Sequence, residues 1–523
     1  MKKLAVLFLV TITGCFGSPA QEPYVPPGGL GAGTPVVPPP PTAETPRETP
    51  DAPFRQQQPA PDGKITFHAP KITESKLKNG VRVLVSERHD LPIVSIRLVV
   101  TSGAGDVAGV RPGAASFLGG MLEQGTKKRS ALQLSDDFEA IGAQHGAWVD
   151  WDSGGVSLKV VSDKLDAGLE LMSDVALHPS FPDEEIERFR ARRIAGIQSE
   201  KSSPGAASQN TIAAALYGRA NRYGHAIGGE EQDAKKLTKQ ELVDLYGKLF
   251  VPENAAIVVA GDVTEASIVP KLESAFGAWK PSGRKPPPAA QRGPEKPAKP
   301  ATDKKIVLVD RAGAQSQIAL VRVGVPFERK DRDAIVVTNA ILGGMFTSRV
   351  NMNLREKHAY TYGARSYFIM RHGAGPLYVG APVFADKTVP AIKEMIAEVD
   401  GLRTGGPTDD ELALAKESLL LAMPGRFESV DSITNAMAEI ATYDLPLDEF
   451  DKRPARIEAV NAADVKKVAG DFLDSKQMTL VVVGDKKKLG EGLDTLGLGS
   501  VDERDPYGNP VAAAQPAAPA PKK

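Results

Sequence analysis

Cysteine is almost missing: of 523 residues only Cys15 is one, which excludes any disulfide within the chain. Histidine is scarce too. The seven histidines (His68, His89, His145, His178, His225, His358 and His372) never stand at H-x-x-x-H spacing, and none begins an H-x-x-E. The sequence therefore offers no pair of imidazoles on one helix face to hold a metal. No apolar run is long enough to span a bilayer; the candidate at Leu4–Ile12 is nine residues, against the roughly 20 a spanning helix needs. Strong charge of either sign is also lacking. A net charge of −1 gives no basic face of the kind that binds nucleic acid and no strong pull toward acidic membranes.

What the first residues do have is an order. Lys2 and Lys3 precede the short apolar run, and Ile12-Thr13-Gly14-Cys15 follows it. The tetrapeptide resembles a bacterial lipobox. That resemblance implies a signal peptide over residues 1–14, cleavage before Cys15 and acylation of its thiol. The other reading is an ordinary signal peptide with a chance cysteine. With lipidation, the chain is expected in the envelope of a Gram-negative-type bacterium, facing the periplasm, and held to the membrane through its lipid alone.

Composition divides the remainder. Residues 15–63 are rich in Pro, Ala, Gly, Thr and Gln and poor in bulky apolar residues, so a disordered tether is expected. A second break, at 281–302, holds seven prolines between Pro281 and Pro300 and reads as an extended linker. Residues 499–523 read as a disordered tail.

The two blocks left, 64–280 and 303–498, repeat each other. Leu118-Gly119-Gly120-Met121 recurs as Leu342-Gly343-Gly344-Met345, and Val258-Val259-Ala260-Gly261-Asp262 as Val481-Val482-Val483-Gly484-Asp485. A shift of 223 also sets Ile96, Leu98 and Val100 on Ala319, Val321 and Val323. Three matches in one order argue for a duplicated domain, at a period too long for a solenoid. Alternating runs at 81–85 and 94–100 predict half-buried strands. Helices are expected over 130–143 and 183–197, and another opening at Thr238 with Glu241 three residues on. Strands and helices mix without a strict βαβ rhythm, which indicates an α+β fold.

The richest stretch is Gly113–Thr126, GAASFLGGMLEQGT. It resembles the zinc helix of the pitrilysin/insulinase family of inverted-zincin peptidases, G-x-A-H-F-L-E-H-M-x-F-x-G-T. Gly113, Ala115, Phe117, Leu118, Met121, Gly125 and Thr126 match. Where that family has its two histidines and its general base, this chain has Ser116, Gly120 and Gly119. The third ligand, a glutamate on a later helix, falls at Gly196. The resemblance thus implies a lost metal site: no metal or other cofactor in this chain. It further implies two homologous α+β domains, each a mostly antiparallel sheet covered by helices, together forming half of a clamshell.

A second motif is intact. Leu342–Tyr362 reads LGGMFTSRVNMNLREKHAYTY and is similar to the family's second-domain segment, with a glycine turn, Ser348-Arg349, Leu354-Arg355-Glu356-Lys357 and Tyr362. The resemblance implies that Arg355 and Tyr362 hold the substrate backbone and stabilise an oxyanion, and that Gly343-Gly344 let a peptide approach. Seven residues on one helix would place Arg355 and Tyr362 about 10 Å apart along its axis. They converge only if the helix ends near His358-Ala359 and the chain turns back into a strand. The alternative is an Arg355 paired on a solvated face and a Tyr362 packed in the core.

Within the resemblance, the chain has the profile of a non-catalytic subunit. It would bind unfolded peptides and donate Arg355 and Tyr362 to a homologous partner that carries the zinc motif. Two other readings stand beside it: a structural or peptide-binding scaffold without a proteolytic role, and an independent metallopeptidase with an unorthodox metal site, for instance around His145 and Glu123.

Overall fold

The alternating apolar runs form two six-stranded sheets in a computed structural model that describes residues 67–283, 291–297, 305–489 and 492–511. The first contains β1 (Thr73–Lys76), β2 (Arg82–Glu87), β3 (Ile93–Val100), β4 (Gln144–Val149), β5 (Gly154–Val161) and β6 (Ala255–Gly261), in the order β1-β2-β6-β3-β5-β4. The second contains β7 (Ile306–Asp310), β8 (Gln315–Val323), β9 (Arg365–Phe368), β10 (Pro376–Phe384), β11 (Thr479–Gly484) and β12 (Val501–Arg504), in the order β12-β7-β11-β8-β10-β9. From the second position on, the five remaining strands of each sheet follow the same path, so the fold is α+β and duplicated. Each sheet is antiparallel except beside β2 and β7: β2 runs parallel to β6, and β7 parallel to β11 and β12.

Both faces of the sheets are covered at their centres, so β6 and β11 are buried along their whole length. One face packs on helices of its own half; Ile257 and Val259 join that core in the first sheet, Leu480 and Val482 in the second. The other face is covered by a helix from the opposite half. Ile433, Met437 and Ile440 of the Val430–Tyr443 helix lie on Ala256, Val258 and Ala260, and Ile212 and Leu216 of the Pro204–Tyr217 helix lie on Ala319, Val321 and Val481. This reciprocal exchange makes the described residues one compact unit.

The core corrects the repeat by one residue. Ile96 and Leu98 face the first half's own helices, and Ile318 and Leu320 do so in the second, whereas Ala319, Val321 and Val323 face the exchanged helix. The true equivalents in β3 and β8 are therefore offset by 222, because a slip of one residue moves a strand's side chains to the other face.

Two segments expected to lack structure are folded in part. From the supposed tail, β12 pairs with β7, Val501 opposite Ile306, and fills the outer position that β1 fills in the first sheet. From the supposed linker, residues 291–297 dock against the first half: Gly293 N–H donates to Asp106 Oδ1 at 2.8 Å, and the Glu295 carbonyl accepts from Asn221 Nδ2 at 3.2 Å. The signal peptide, Cys15 and the Pro-rich tether lie outside the described residues.

The Thr238 helix start is as its residues demand. Thr238 Oγ1 accepts from Glu241 N–H, and the Glu241 carboxylate accepts from Thr238 N–H. The helices expected over 130–143 and 183–197 are Ala131–Ala140 and Asp183–Lys201.

Candidate functional site

The residues that match zinc-helix positions sit on the short helix Ala114–Met121, which packs on the sheet-edge strand β4. Gly119 is at the contact. A Cβ there would lie 2.5 Å from the backbone nitrogen of Val149 and 2.8 Å from the carbonyl carbon of Trp148. At Gly120 the space for a side chain is taken by the ring of Phe189. Phe189 belongs to Asp183–Lys201, the helix that carries Gly196, and stands two turns before it. Its ring meets Phe117 edge-on at 4.7 Å. The positions of the family's three ligands and its general base thus hold one serine and three glycines, closed by backbone at Gly119 and by an aromatic ring at Gly120. These residues do not fit a zinc ion: serine is a poor ligand and glycine offers none.

Two other groupings bear on metal. His145 and Glu123, distant in sequence, are brought together, with Nδ1 2.6 Å from Oε1. The His145 ring stacks on Phe138 at 3.9 Å. Two groups do not make a metal site, and the pair is a hydrogen bond tying β4 to the segment after the glycine helix. The second grouping, Asp106, Asp152 and His372, has its ligand atoms within 4.8 Å of one another. Here the geometry favours a proton. His372 Nδ1 is 3.1 Å from each Asp106 oxygen, and Nε2 is 3.1 Å from the Thr442 carbonyl, so both ring nitrogens face acceptors. Asp106 also accepts from Gly103 and Gly293 N–H, and Asp152 accepts from the Tyr443 hydroxyl at 2.7 Å. Burial opposes charge on His372, but the Asp106 hydrogen bond and the charges of Asp106 and Asp152 outweigh it and hold its pKa above the ordinary histidine value. Asp152 is itself raised by burial, against the pull of His372 and Tyr443. The cluster is an ionic clasp between the halves.

The second motif is built differently. Gly343 and Gly344 end a π-helical turn, Ala340–Gly344, and so lie in a helix end, not in the loop that the sequence suggested. Gly343 repeats the task of Gly119: a Cβ would press on the backbone nitrogen of Ser366 and lie 2.6 Å from its Oγ, so the turn rests directly on the edge strand β9. The following segment is pinned at several points. Arg349 grips the Glu411 carboxylate with Nε and Nη2, both at 2.6 Å. Asn351 Nδ2 donates to the Phe346 carbonyl at 2.6 Å, while its Oδ1 accepts from Ala364 N–H at 3.1 Å.

The helix Met352–Lys357 ends at His358, and Ala359 takes a left-handed φ of 53°. Tyr360 N–H returns to the Leu354 carbonyl at 2.8 Å, and the chain reverses into β9. The reversal required by the sequence is therefore present. It brings Arg355, Tyr362, Gly343 and Gly344 to the wall of one cavity of about 230 Å³. Tyr362 is not a core residue; it is 78% exposed. The Arg355 guanidinium lies 4.7 Å over the Phe346 ring, and its Nε is 3.2 Å from Glu356 at the surface. Phe346, Asn351, Arg365 and Tyr367 also line the cavity, and Phe384 stands against Tyr362 at 6.1 Å. Sequence reading missed these five. The exposed aromatics Phe346, Tyr367 and Phe384 gave no signal beyond their number in a chain of few aromatics.

Comparison with known proteins gives this geometry a family. Residues 82–228 match the model for insulinase, peptidase family M16, and residues 236–419 match that for the peptidase M16 inactive domain. An uncharacterized zinc protease of Streptomyces coelicolor is 24% identical over 423 residues, covering 80% of this chain and 90% of its own. The probable beta subunit of the mitochondrial-processing peptidase of Arabidopsis thaliana is 23% identical over 433 residues, covering 80% of this chain and 79% of its own. Among solved structures, a peptidase M16 inactive domain from Pseudomonas fluorescens superposes with a TM-score of 0.72 at 25% identity, covering 79% of this chain and 98% of that one. With the duplicated sheets, the paired glycine helices and the Arg355–Tyr362 cavity in place, the chain belongs to the insulinase-like peptidase family M16, as a member whose zinc-ligand positions hold no ligands.

Proposed function

We propose that this chain is a non-catalytic, substrate-binding subunit of a two-chain zinc endopeptidase that acts on unfolded peptides in a bacterial envelope. The observation that carries the reading is the unequal fate of two equivalent helices. The first has lost every ligand position and is packed shut by Val149 and Phe189; the second keeps Arg355 and Tyr362 on one open cavity. An extended peptide backbone suits that cavity: aromatic rings offer flat apolar contact, and the guanidinium and phenol offer donors for carbonyl oxygens. Donors held in place before the reaction are worth most where negative charge develops on such an oxygen. The metal would come from a homologous partner with an intact H-x-x-E-H. Anchoring through a lipid on Cys15 would set both subunits at the membrane surface. No nucleic-acid partner is proposed.

The test is to purify the chain, mix it with a zinc-motif homologue from the same source and follow cleavage of an unstructured peptide. The expected result is no cleavage by this chain alone, cleavage by the mixture, and a loss on the order of 10²–10³-fold with Arg355→Ala. Cleavage by the single chain would replace this reading with that of an independent peptidase. A mixture that never cleaves, or that ignores Arg355→Ala and Tyr362→Phe, would leave a scaffold.

A further inference from the structure

A larger cleft, about 680 Å³, opens where the two halves meet, between the turn joining β4 to β5 and the turn joining β9 to β10. It is separate from the Arg355 cavity and shares no residue with it. Four arginines line it: Arg97, Arg332, Arg371 and Arg453. Two of them are paired with acids that Arg456 shares. Arg332 pairs with Glu449, and Arg453 Nε stands 3.4 Å from Asp333.

The other two have no carboxylate of their own among the described residues. Arg97, on β3, lies half-buried with its guanidinium 5.8 Å from the Trp148 ring, and its Nε meets no acceptor. Asp431 acts on it only through its field, because that carboxylate already accepts from Lys159 Nζ at 2.6 Å and Ser95 Oγ at 2.8 Å. Burial pulls the Arg97 pKa below the ordinary arginine value, the sign of a cation taken from water without full compensation. Arg371 lies against two rings that meet edge-on, 4.7 Å from Trp151 and 4.9 Å from Tyr223.

Two of the three acids in the wall are engaged elsewhere, and the third, Asp150, is exposed at the turn. Glu439 pairs with Arg426 at 2.7 Å. Asp152 belongs to the His372 clasp, and Asp150 accepts from Trp151 N–H at 2.7 Å. What the cleft offers a ligand is therefore two guanidiniums with unused donors, each against an indole, beside the apolar walls of Phe327, Phe368 and Met370. A guanidinium held flat on an aromatic face presents its N–H fork edge-on, the geometry that a carboxylate takes.

We propose that this cleft binds a carboxylate of a peptide that also carries an aromatic or aliphatic side chain. The proposal stands on Arg97 and Arg371 and does not require that the chain take part in proteolysis.

Two of the chain's three tryptophans, Trp148 and Trp151, line the cleft, so indole fluorescence reports its occupation. The full chain is titrated with three Phe-containing hexapeptides. One has glutamates and an amidated C-terminus, one has glutamines and a free C-terminus, and one has glutamines and an amidated C-terminus. The expected result is saturable fluorescence change with one or both of the first two, which tells side-chain from terminal carboxylate, and at least tenfold weaker binding of the third. Arg371→Gln and Arg97→Gln should each weaken the binding about tenfold, with Arg97→Lys retaining more than Arg97→Gln. A thermal melt of each variant shows that it is folded, and Arg371→Gln decides alone if Arg97→Gln is not. Equal binding of all three peptides, no binding of any, or affinity unchanged in folded Arg371→Gln would overturn the proposal.

Discussion

The helix at Leu118–Met121 and the turn at Leu342–Met345 descend from one pattern and occupy one place in two sheets, yet they do opposite things. Each uses its first glycine in the same way, to lie against an edge strand: Gly119 on β4 and Gly343 on β9. They differ in what covers the second glycine. Phe189 closes over Gly120, whereas Gly344, with Asn339 against it, lines the cavity of Arg355 and Tyr362. Loss of the zinc ligands is therefore accompanied by repacking. Glycine at 119, where the family resemblance puts a catalytic glutamate, has become a contact between helix and sheet. A glutamate could not return there without moving Trp148 and Val149.

The comparison predicts its own largest effect. Gly119→Ala and Gly343→Ala each force a Cβ into backbone, and each should lower stability by about 1–3 kcal/mol, as overpacked cores do. Chemical unfolding of the two variants measures this; a neutral Gly119→Ala would mean that the first glycine does not seat the helix on β4. The same argument predicts that the triple change Ser116→His, Gly119→Glu and Gly120→His gives no tightly bound zinc, by metal analysis of the folded protein.

A smaller effect is expected where the halves are clasped. His372 has its pKa raised in the folded chain, so its stabilisation is full below the unfolded value of about 6.5 and is lost as pH rises through the folded value. Asp152, an acid with a raised pKa, gives a slope of the same sign that begins lower, at the unfolded carboxylate value of about 3.9. Stability should fall as pH rises above about 6.5, and His372→Gln should flatten that fall. An identical slope in His372→Gln would mean that the ring does not change charge on unfolding.

The smallest effect on stability belongs to the site. Tyr362 is exposed and Arg355 pairs only at the surface, so Tyr362→Phe and Arg355→Ala should leave the unfolding midpoint within about 0.5 kcal/mol of the parent. A loss of 2 kcal/mol or more would make them structural residues.

Much of this contrast was legible in the residues. The repeat of Leu-Gly-Gly-Met, the cap at Thr238 and the need for a reversal after Arg355 follow from local rules, and local rules are what a sequence displays. The exchange of the Pro204–Tyr217 and Val430–Tyr443 helices was not legible, because a helix's apolar stripe does not say which sheet it will cover. The register of β8 was misread for a related reason. With both faces buried, Gln315–Val323 lacks a clean polar–apolar alternation, so the strand reads nearly as well one residue out of step. The ordered segments 291–297 and 501–504 were hidden by composition. Their order comes from partners far along the chain, Asp106 for Gly293 and β7 for β12.

The central claim is that the second helix, and not the first, presents a working peptide surface. Its most direct test is the affinity of the isolated chain for a fluorescent unstructured peptide with neutral side chains and blocked ends, a ligand without the carboxylate that the junction cleft is proposed to bind. The account predicts saturable binding that weakens at least tenfold in the folded Arg355→Ala, Tyr362→Phe double variant and is unchanged in Ser116→Ala. Binding that is indifferent to the double variant would contradict it.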